Sequence, residues 1–242
     1  VLRYRRRDIA RLVRHINETG YGLTFGIHSR IDETIAQVSG TVKAGNIYVN
    51  RNVIGAIVGV QPFGGRGLSG TGPKAGGPLY LGRLVLCGTD VSDQMPQIAE
   101  LPGPVGERNV YTLHPRGRIL LLAETEAGLQ SQLKAVLASG NTPVAPDSML
   151  SLAETLPQLD FARLEWVGDW INEPPFDHIL IEDAGQDIRP ILSTIAAKDG
   201  PIPIVQRGHA EGGYRIDWMV EEISTSIDTT AAGGNASLMA VV

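Results

Sequence analysis

Short apolar runs alternate with helical patterns through the second half of the chain, and this alternation constrains the fold more than any other feature. Residues 119–123 read as a buried strand, and Leu129, Leu133, Val136 and Leu137 fall on one helix face. Residues 142–145 make a short strand, followed by a helix opened by Asp147 as N-cap. Residues 164–167 and 178–182 read as strands, Ile188, Ile191, Leu192 and Ile195 as another helix face, and residues 202–206 as a further strand. Strands separated by helices pair in parallel and build an α/β layer fold.

The first half is organised differently. Ile9, Leu12, Val13 and Ile16 recur at helical spacing, which predicts an amphipathic helix over residues 8–19 stopped by Gly20. A strand is expected at 23–28, a helix at 31–39 ended by Gly40, and a strand at Asn46-Ile47-Tyr48-Val49-Asn50. Between Gly59 and Gly77, eight of 19 residues are glycine, so the backbone there turns tightly or approaches a ligand closely. The apolar run 79–87 closes this unit, and residues 89–106, with scattered Pro, Gly and Asp, read as a linker. The expected organisation is therefore 1–88, a linker at 89–106, an α/β unit at 107–222, and an extended tail at 223–242, where the sequence turns small and polar.

Charge supports two units. Residues 1–100 carry 12 Lys and Arg against 7 Asp and Glu, whereas residues 101–242 carry 9 against 19. Six arginines lie within the first 14 residues, but the helical spacing puts most of them on a solvated outer face. Without interleaved aromatics they make a weak nucleic-acid signal, and no nucleic-acid partner is expected through this region. No stretch approaches the roughly 18 uninterrupted apolar residues that cross a bilayer. The single cysteine, Cys87, excludes an internal disulfide and fits a reducing cytoplasm. The first residues lack both an initiator Met and a signal-peptide core, so the chain is expected to begin within a domain.

Candidate motifs are few. Gly65-Arg66-Gly67-Leu68-Ser69-Gly70 matches the dinucleotide fingerprint, yet Pro62 precedes it and Thr71-Gly72-Pro73 follows, which denies it the flanking strand and helix it needs. Cys87 ends an apolar run with no His nearby and reads as a buried small hydrophobe. The five histidines share no metal-ligand spacing, so no metal is expected. Asn235-Ala236-Ser237 is a glycosylation sequon by pattern only. In the second unit the turn Glu124-Thr125-Glu126-Ala127-Gly128 sets carboxylates where a phosphate would meet a helix N-terminus, so NAD is not expected to bind there.

Thr19-Gly20-Tyr21-Gly22-Leu23-Thr24, Gly26-Ile27-His28-Ser29-Arg30-Ile31 and Gly45-Asn46-Ile47-Tyr48-Val49-Asn50-Arg51-Asn52 resemble the late catalytic-domain segment of aldehyde dehydrogenases. The stretch from Ile54-Gly55-Ala56-Ile57 to Gln61-Pro62-Phe63-Gly64-Gly65 is similar to the branch that oxidises glutamate γ-semialdehyde. Thr229 to Met239 resembles the C-terminus of the proline utilization A family, bifunctional proline and semialdehyde dehydrogenases. The resemblance is strong over 15–87 and 225–240 and looser over 103–222, where longer members carry a domain related to the dehydrogenase's NAD-binding fold.

This resemblance implies a fold: the end of an aldehyde dehydrogenase catalytic domain, then a Rossmann-like α/β domain and an extended tail. It also implies that the nucleophilic Cys, the glutamate base and the NAD-binding domain precede Val1, along with a proline dehydrogenase module holding FAD. No catalytic residue is then expected in this chain. The implied partners are the rest of the polypeptide, the substrate L-glutamate γ-semialdehyde and further copies in a homo-oligomer. The implied location is the cytoplasm, with the parent at the inner face of the membrane. The family places a carboxylate anchor at the position of Gly55-Ala56 and an aromatic wall at Phe63. On residue chemistry alone those residues are a simple turn and a core aromatic. A tail lid formed by Ala231–Ser237, anchored by Leu238 and Met239, would help close the path of the intermediate. The competing reading is a non-catalytic binding or oligomerisation module.

Overall fold

The computed structural model describes residues 4–58, 60–84, 98–156, 163–209 and 213–230, which fall into two compact units. In the first unit, helix α1 (Ile9–Glu18) buries Ile9 and Val13 and leaves its arginines outside. Strand β1 (Tyr21–Gly22), which is not among the expected strands, is followed by β2 (Thr24–Ile27), helix α2 (Asp32–Ser39) and strand β3 (Asn46–Val49), these three with boundaries close to those expected. Every residue of β3 is buried, as β-branched and aromatic residues are when a strand is covered on both faces. The glycine-dense segment contributes β4 (Arg66–Gly67), which pairs antiparallel with β1.

Two strands come next where a linker and a separate unit are expected. β5 (Ile98–Leu101) pairs antiparallel with β6 (Glu107–Pro115). The chain then leaves for the second unit, residues Pro115–Val220, and returns through the last strand. That second unit holds β7 (Arg118–Leu122), α3 (Glu126–Ala138), β8 (Thr142–Pro146), α4 (Leu150–Glu154), β9 (Glu165–Val167), β10 (His178–Glu182), α5 (Arg189–Ala196) and β11 (Ile204–Gly208). The returning strand is β12 (Val220–Asp228), which runs parallel to β3 with Ser224 opposite Asn46. The first unit's five-stranded sheet thus has the order β2-β3-β12-β6-β5.

These pairings redraw the expected segments. Part of the expected linker is the edge strand β5, and residues 223–228 of the expected tail lie inside the sheet. The reason is visible in composition: β12 reads Val-Glu-Glu-Ile-Ser-Thr-Ser-Ile-Asp, with no apolar alternation to announce it. Its buried Glu222 and Ser226 are satisfied by partners distant in sequence. Residues 79–87 also differ from expectation. Leu79 is buried, but Leu81 and Leu84 sit exposed on a 3-10 turn, Leu81–Leu84, so the run is not one continuous core segment. Cys87, the sequon and the lid residues 231–239 lie outside the described residues. Asp147 does not cap a helix; it begins the 3-10 turn Asp147–Met149 that leads into α4.

The first unit's core joins α1, α2, β2, β3 and β12 through Val13, Val38, Ile27, Ile47 and Ile223. The second unit is built around a five-stranded sheet of order β11-β10-β7-β8-β9, with every pairing parallel. Ile119 and Leu121 face one core with Leu129, Leu133 and Val136 of α3. Leu120, Ile179 and Ile181 face the other core with Ile195 of α5. Helices on both faces explain why β7 and β10 are apolar without alternation. In chain order the five strands lie 3-2-1-4-5, a doubly wound arrangement whose switch point falls between β7 and β10.

Candidate functional site

The Gly55-Ala56 turn lies on the open side of an irregular loop that joins β3 to the glycine-dense segment. Gly55 has φ +85, a conformation glycine adopts without the steric cost of a Cβ. The Ile54 amide donates to Asn52 Oδ1 at 3.1 Å and the Ile57 amide to Gln61 Oε1 at 3.0 Å. Between them, the N–H groups of Gly55 and Ala56 make no hydrogen bond among the described residues. Ile54 and Val58 project outward, 79% and 95% exposed. A cavity of about 580 Å³ opens beside the loop, lined by Ile9, Val13, Phe25, His28, Val53 and Ile54.

The loop's base is polar and closed. Arg51, at its start, binds the Glu107 carboxylate and donates to Ser226 Oγ at 2.6 Å. Gln61, at its end and 3% exposed, donates to the same Glu107, and also to Asn109 Oδ1 and Ser226 Oγ, both at 3.3 Å. The Arg51 guanidinium also lies over the Tyr48 ring, 5.5 Å from its centroid. Burial raises the Tyr48 phenol above its ordinary pKa, with Arg51 opposing and Glu107 reinforcing the shift.

Phe63 is half-buried and is held by a second set of bonds. Its backbone pairs with Ala75, N to O at 3.1 Å and O to N at 2.9 Å. Asn46 brackets it, donating to Pro62 O at 3.0 Å and accepting from the Gly64 amide at 3.1 Å. Lys74 Nζ donates to Asn46 Oδ1 at 3.0 Å and to Gly64 O at 2.5 Å. Burial pulls the Lys74 ammonium down to about 8, against the attraction of Glu222 and Glu221. Glu222 accepts from the Lys74 amide at 2.6 Å and from Tyr111 OH at 2.8 Å, and burial raises its pKa. Gly55-Ala56 and Phe63 are therefore fixed to one sheet by two separate networks. The Gly65–Gly70 motif, meanwhile, forms β4 and a turn with no helix after it, so it lacks the dinucleotide geometry.

In the second unit the crevice at the switch point is filled from within. Glu182, at the C-terminal end of β10 and 4% exposed, turns its carboxylate onto the N-terminus of α3. It accepts from the amides of Glu124 at 2.7 Å and Thr125 at 2.9 Å, and from Thr125 Oγ1 at 2.6 Å. Thr125 also caps α3 by accepting from the Gly128 amide. A Cβ at Gly128 would overlap the Glu182 carboxylate. The group that meets the helix is thus Glu182, whereas Glu124 and Glu126, singled out in the sequence, are exposed. These residues do not fit a dinucleotide pyrophosphate. A cavity of about 460 Å³ remains at the ends of β7 and β8, lined by Leu122, Pro146, Met149, Leu152, Trp170 and Ile191.

Sequence reasoning singled out Gly55, Ala56 and Phe63 and missed Asn46, Gln61, Glu107 and Glu182, which hold the loops in place. Only Glu182 left a local signal, as a charged residue ending the run His178-Ile-Leu-Ile. Among the described residues no three His, Cys, Asp or Glu side chains are grouped to hold a metal. No helix among them is long and apolar enough to cross a membrane.

The model of the aldehyde dehydrogenase family matches residues 1–85. These residues belong to that family. Across its whole length the chain is similar to the bifunctional protein PutA of Rhizobium meliloti, 50% identical over 286 aligned positions that cover 23% of that protein. A 1-pyrroline-5-carboxylate dehydrogenase of Geobacillus thermodenitrificans (strain NG80-2) is 47% identical over 75 residues, which are 31% of this chain and 15% of that protein. The solved structure of proline utilization A from Corynebacterium freiburgense superimposes with a TM-score of 0.63, covering 91% of this chain and 24% of that one. At 24% identity this last likeness bears on the fold, which is α/β in both units. The chain spans less than a quarter of the length of the curated PutA relatives. The aldehyde dehydrogenase segment is thus joined here to a second unit inserted before the last strand of its own sheet.

Proposed function

We propose that this chain forms the carboxylate-recognising wall of an NAD-dependent L-glutamate γ-semialdehyde dehydrogenase, within a bifunctional enzyme that degrades proline to glutamate. The adjacent amides of Gly55 and Ala56, unbonded among the described residues and set between two bonded neighbours, carry the reading. The substrate has an aldehyde at one end and an α-carboxylate at the other. Two adjacent N–H donors on a glycine turn suit a carboxylate, and nothing lies within 4 Å of the Cβ position at Gly55 to obstruct it. Phe63 would pack on the methylenes between the two ends and keep water from the reacting carbon. Binding the inert end of the substrate in this way orients the aldehyde, which is what a positioning loop contributes to rate.

The nucleophile and base of the reaction belong to the polypeptide beyond this chain. NAD supplies the hydride acceptor, and the oxidation of proline belongs to a separate FAD-dependent module. The second unit takes a non-catalytic part, a reading supported by the Glu182 carboxylate seated where a dinucleotide's phosphates would lie. Ala56→Pro in the full-length protein tests the anchor by removing one donor. It is expected to raise KM for the semialdehyde roughly tenfold while pentanal, which has no carboxylate, loses much less. Equal losses on both aldehydes would count against a carboxylate anchor.

A further inference from the structure

We infer that Glu107 is a positioning residue for the substrate carboxylate, acting by stapling together the two ends of the anchor loop. The inference rests on the anchor reading above but concerns a different strand. An irregular loop of some ten residues holds two amides in one place only if its ends are fixed, since each free backbone residue carries about 1–2 kcal/mol of conformational entropy. Here both ends converge on one carboxylate: Arg51 enters the loop, Gln61 leaves it, and each binds Glu107 on β6. Ser226 on β12 bridges the same two side chains, at 2.6 Å from Arg51 and 3.3 Å from Gln61. The constraint then passes inward, because Gln61 uses its carbonyl oxygen to hold the Ile57 amide, next to Ala56.

Arg51 and Glu107 are 15% and 12% exposed, so water screens this pair far less than a surface ion pair. Glu107 lies 46 residues from Gln61 and 56 from Arg51, and Ser226 more than a hundred further on. The last described strand, β12, is thereby part of the apparatus that shapes a loop in the first third of the chain. Glu107 touches no substrate in this arrangement. It acts through the backbone that Gln61 holds.

The test is the ratio of kcat/KM for glutamate semialdehyde to kcat/KM for pentanal, measured in the full-length protein. Glu107→Ala is expected to lower that ratio roughly tenfold, mainly through KM for the semialdehyde, because misplaced donors weaken only the substrate that uses them. Glu107→Gln, which keeps one acceptor for Arg51 or Gln61, is expected to recover part of the loss. If Glu107→Ala fails to fold, Gln61→Met removes the Ile57 clamp alone and must still lower the ratio. A ratio that falls in Ala56→Pro but stays at the wild-type value in the Glu107 and Gln61 variants overturns this inference and leaves the anchor intact. A ratio unmoved in all of them removes the anchor as well, and an equal fall on both aldehydes makes Glu107 a general stabiliser instead.

Discussion

Replacing Glu182 by Ala gives the sharpest test of how the second unit is built. The carboxylate is 4% exposed and accepts from two backbone amides and one hydroxyl, at 2.7, 2.9 and 2.6 Å. Hydrogen bonds to a charged acceptor contribute about 1.5–3 kcal/mol each, and the N-terminal end of a helix adds about 0.3–1 kcal/mol for a negative charge. Against that stands the cost of taking a carboxylate out of water, several kcal/mol. Removing it leaves the Glu124 and Thr125 amides unsatisfied unless water enters, so the net loss is expected at about 2–4 kcal/mol. Denaturant unfolding of the 242-residue chain followed by circular dichroism measures this directly. The vacated helix end should in addition gain a weak, salt-sensitive affinity for inorganic pyrophosphate, read by calorimetric titration, where the wild-type chain shows none. A stability loss below about 0.5 kcal/mol, or micromolar binding of NAD by the wild-type chain, would refute the argument that Glu182 fills the phosphate position.

Gly128→Ala puts a methyl group into the Glu182 carboxylate and should cost about 2–4 kcal/mol by expelling it; in a double-mutant cycle with Glu182→Ala the two losses should not add, and additive losses would mean that the residues act independently. Lys74 gives a pH prediction. Its folded pKa of about 8 lies below the ordinary 10.5, so between those values the unfolded chain binds more protons and stability rises with pH. From pH 8 to 10 the wild type should gain on the order of 2 kcal/mol relative to Lys74→Met, and parallel stability profiles for the two proteins would contradict the assignment.

Much of this fold was legible in the sequence, because local patterns are set by burial of whole faces. The 3.6-residue spacing of Ile9, Val13 and Ile16, and of Leu129, Leu133 and Val136, determined α1 and α3. The apolar runs at 119–123 and 179–181 determined strands covered on both faces. Family motifs located the Gly55-Ala56 turn and Phe63. The tertiary structure alone decided where polar segments go. β12 carries Glu221, Glu222, Ser224 and Ser226 into the interior, which its sequence gives no reason to expect. The donors to Glu222 and Ser226, namely Lys74, Tyr111, Arg51 and Gln61, come from other strands and loops. The same holds for Glu182, which follows the apolar run Ile179-Leu180-Ile181 while its three hydrogen-bond donors lie 57 and 58 residues earlier. Hydrophobic periodicity is a property of a segment and can be read within it. The satisfaction of a buried polar group is a property of a pair, and the pair exists only once the chain has folded.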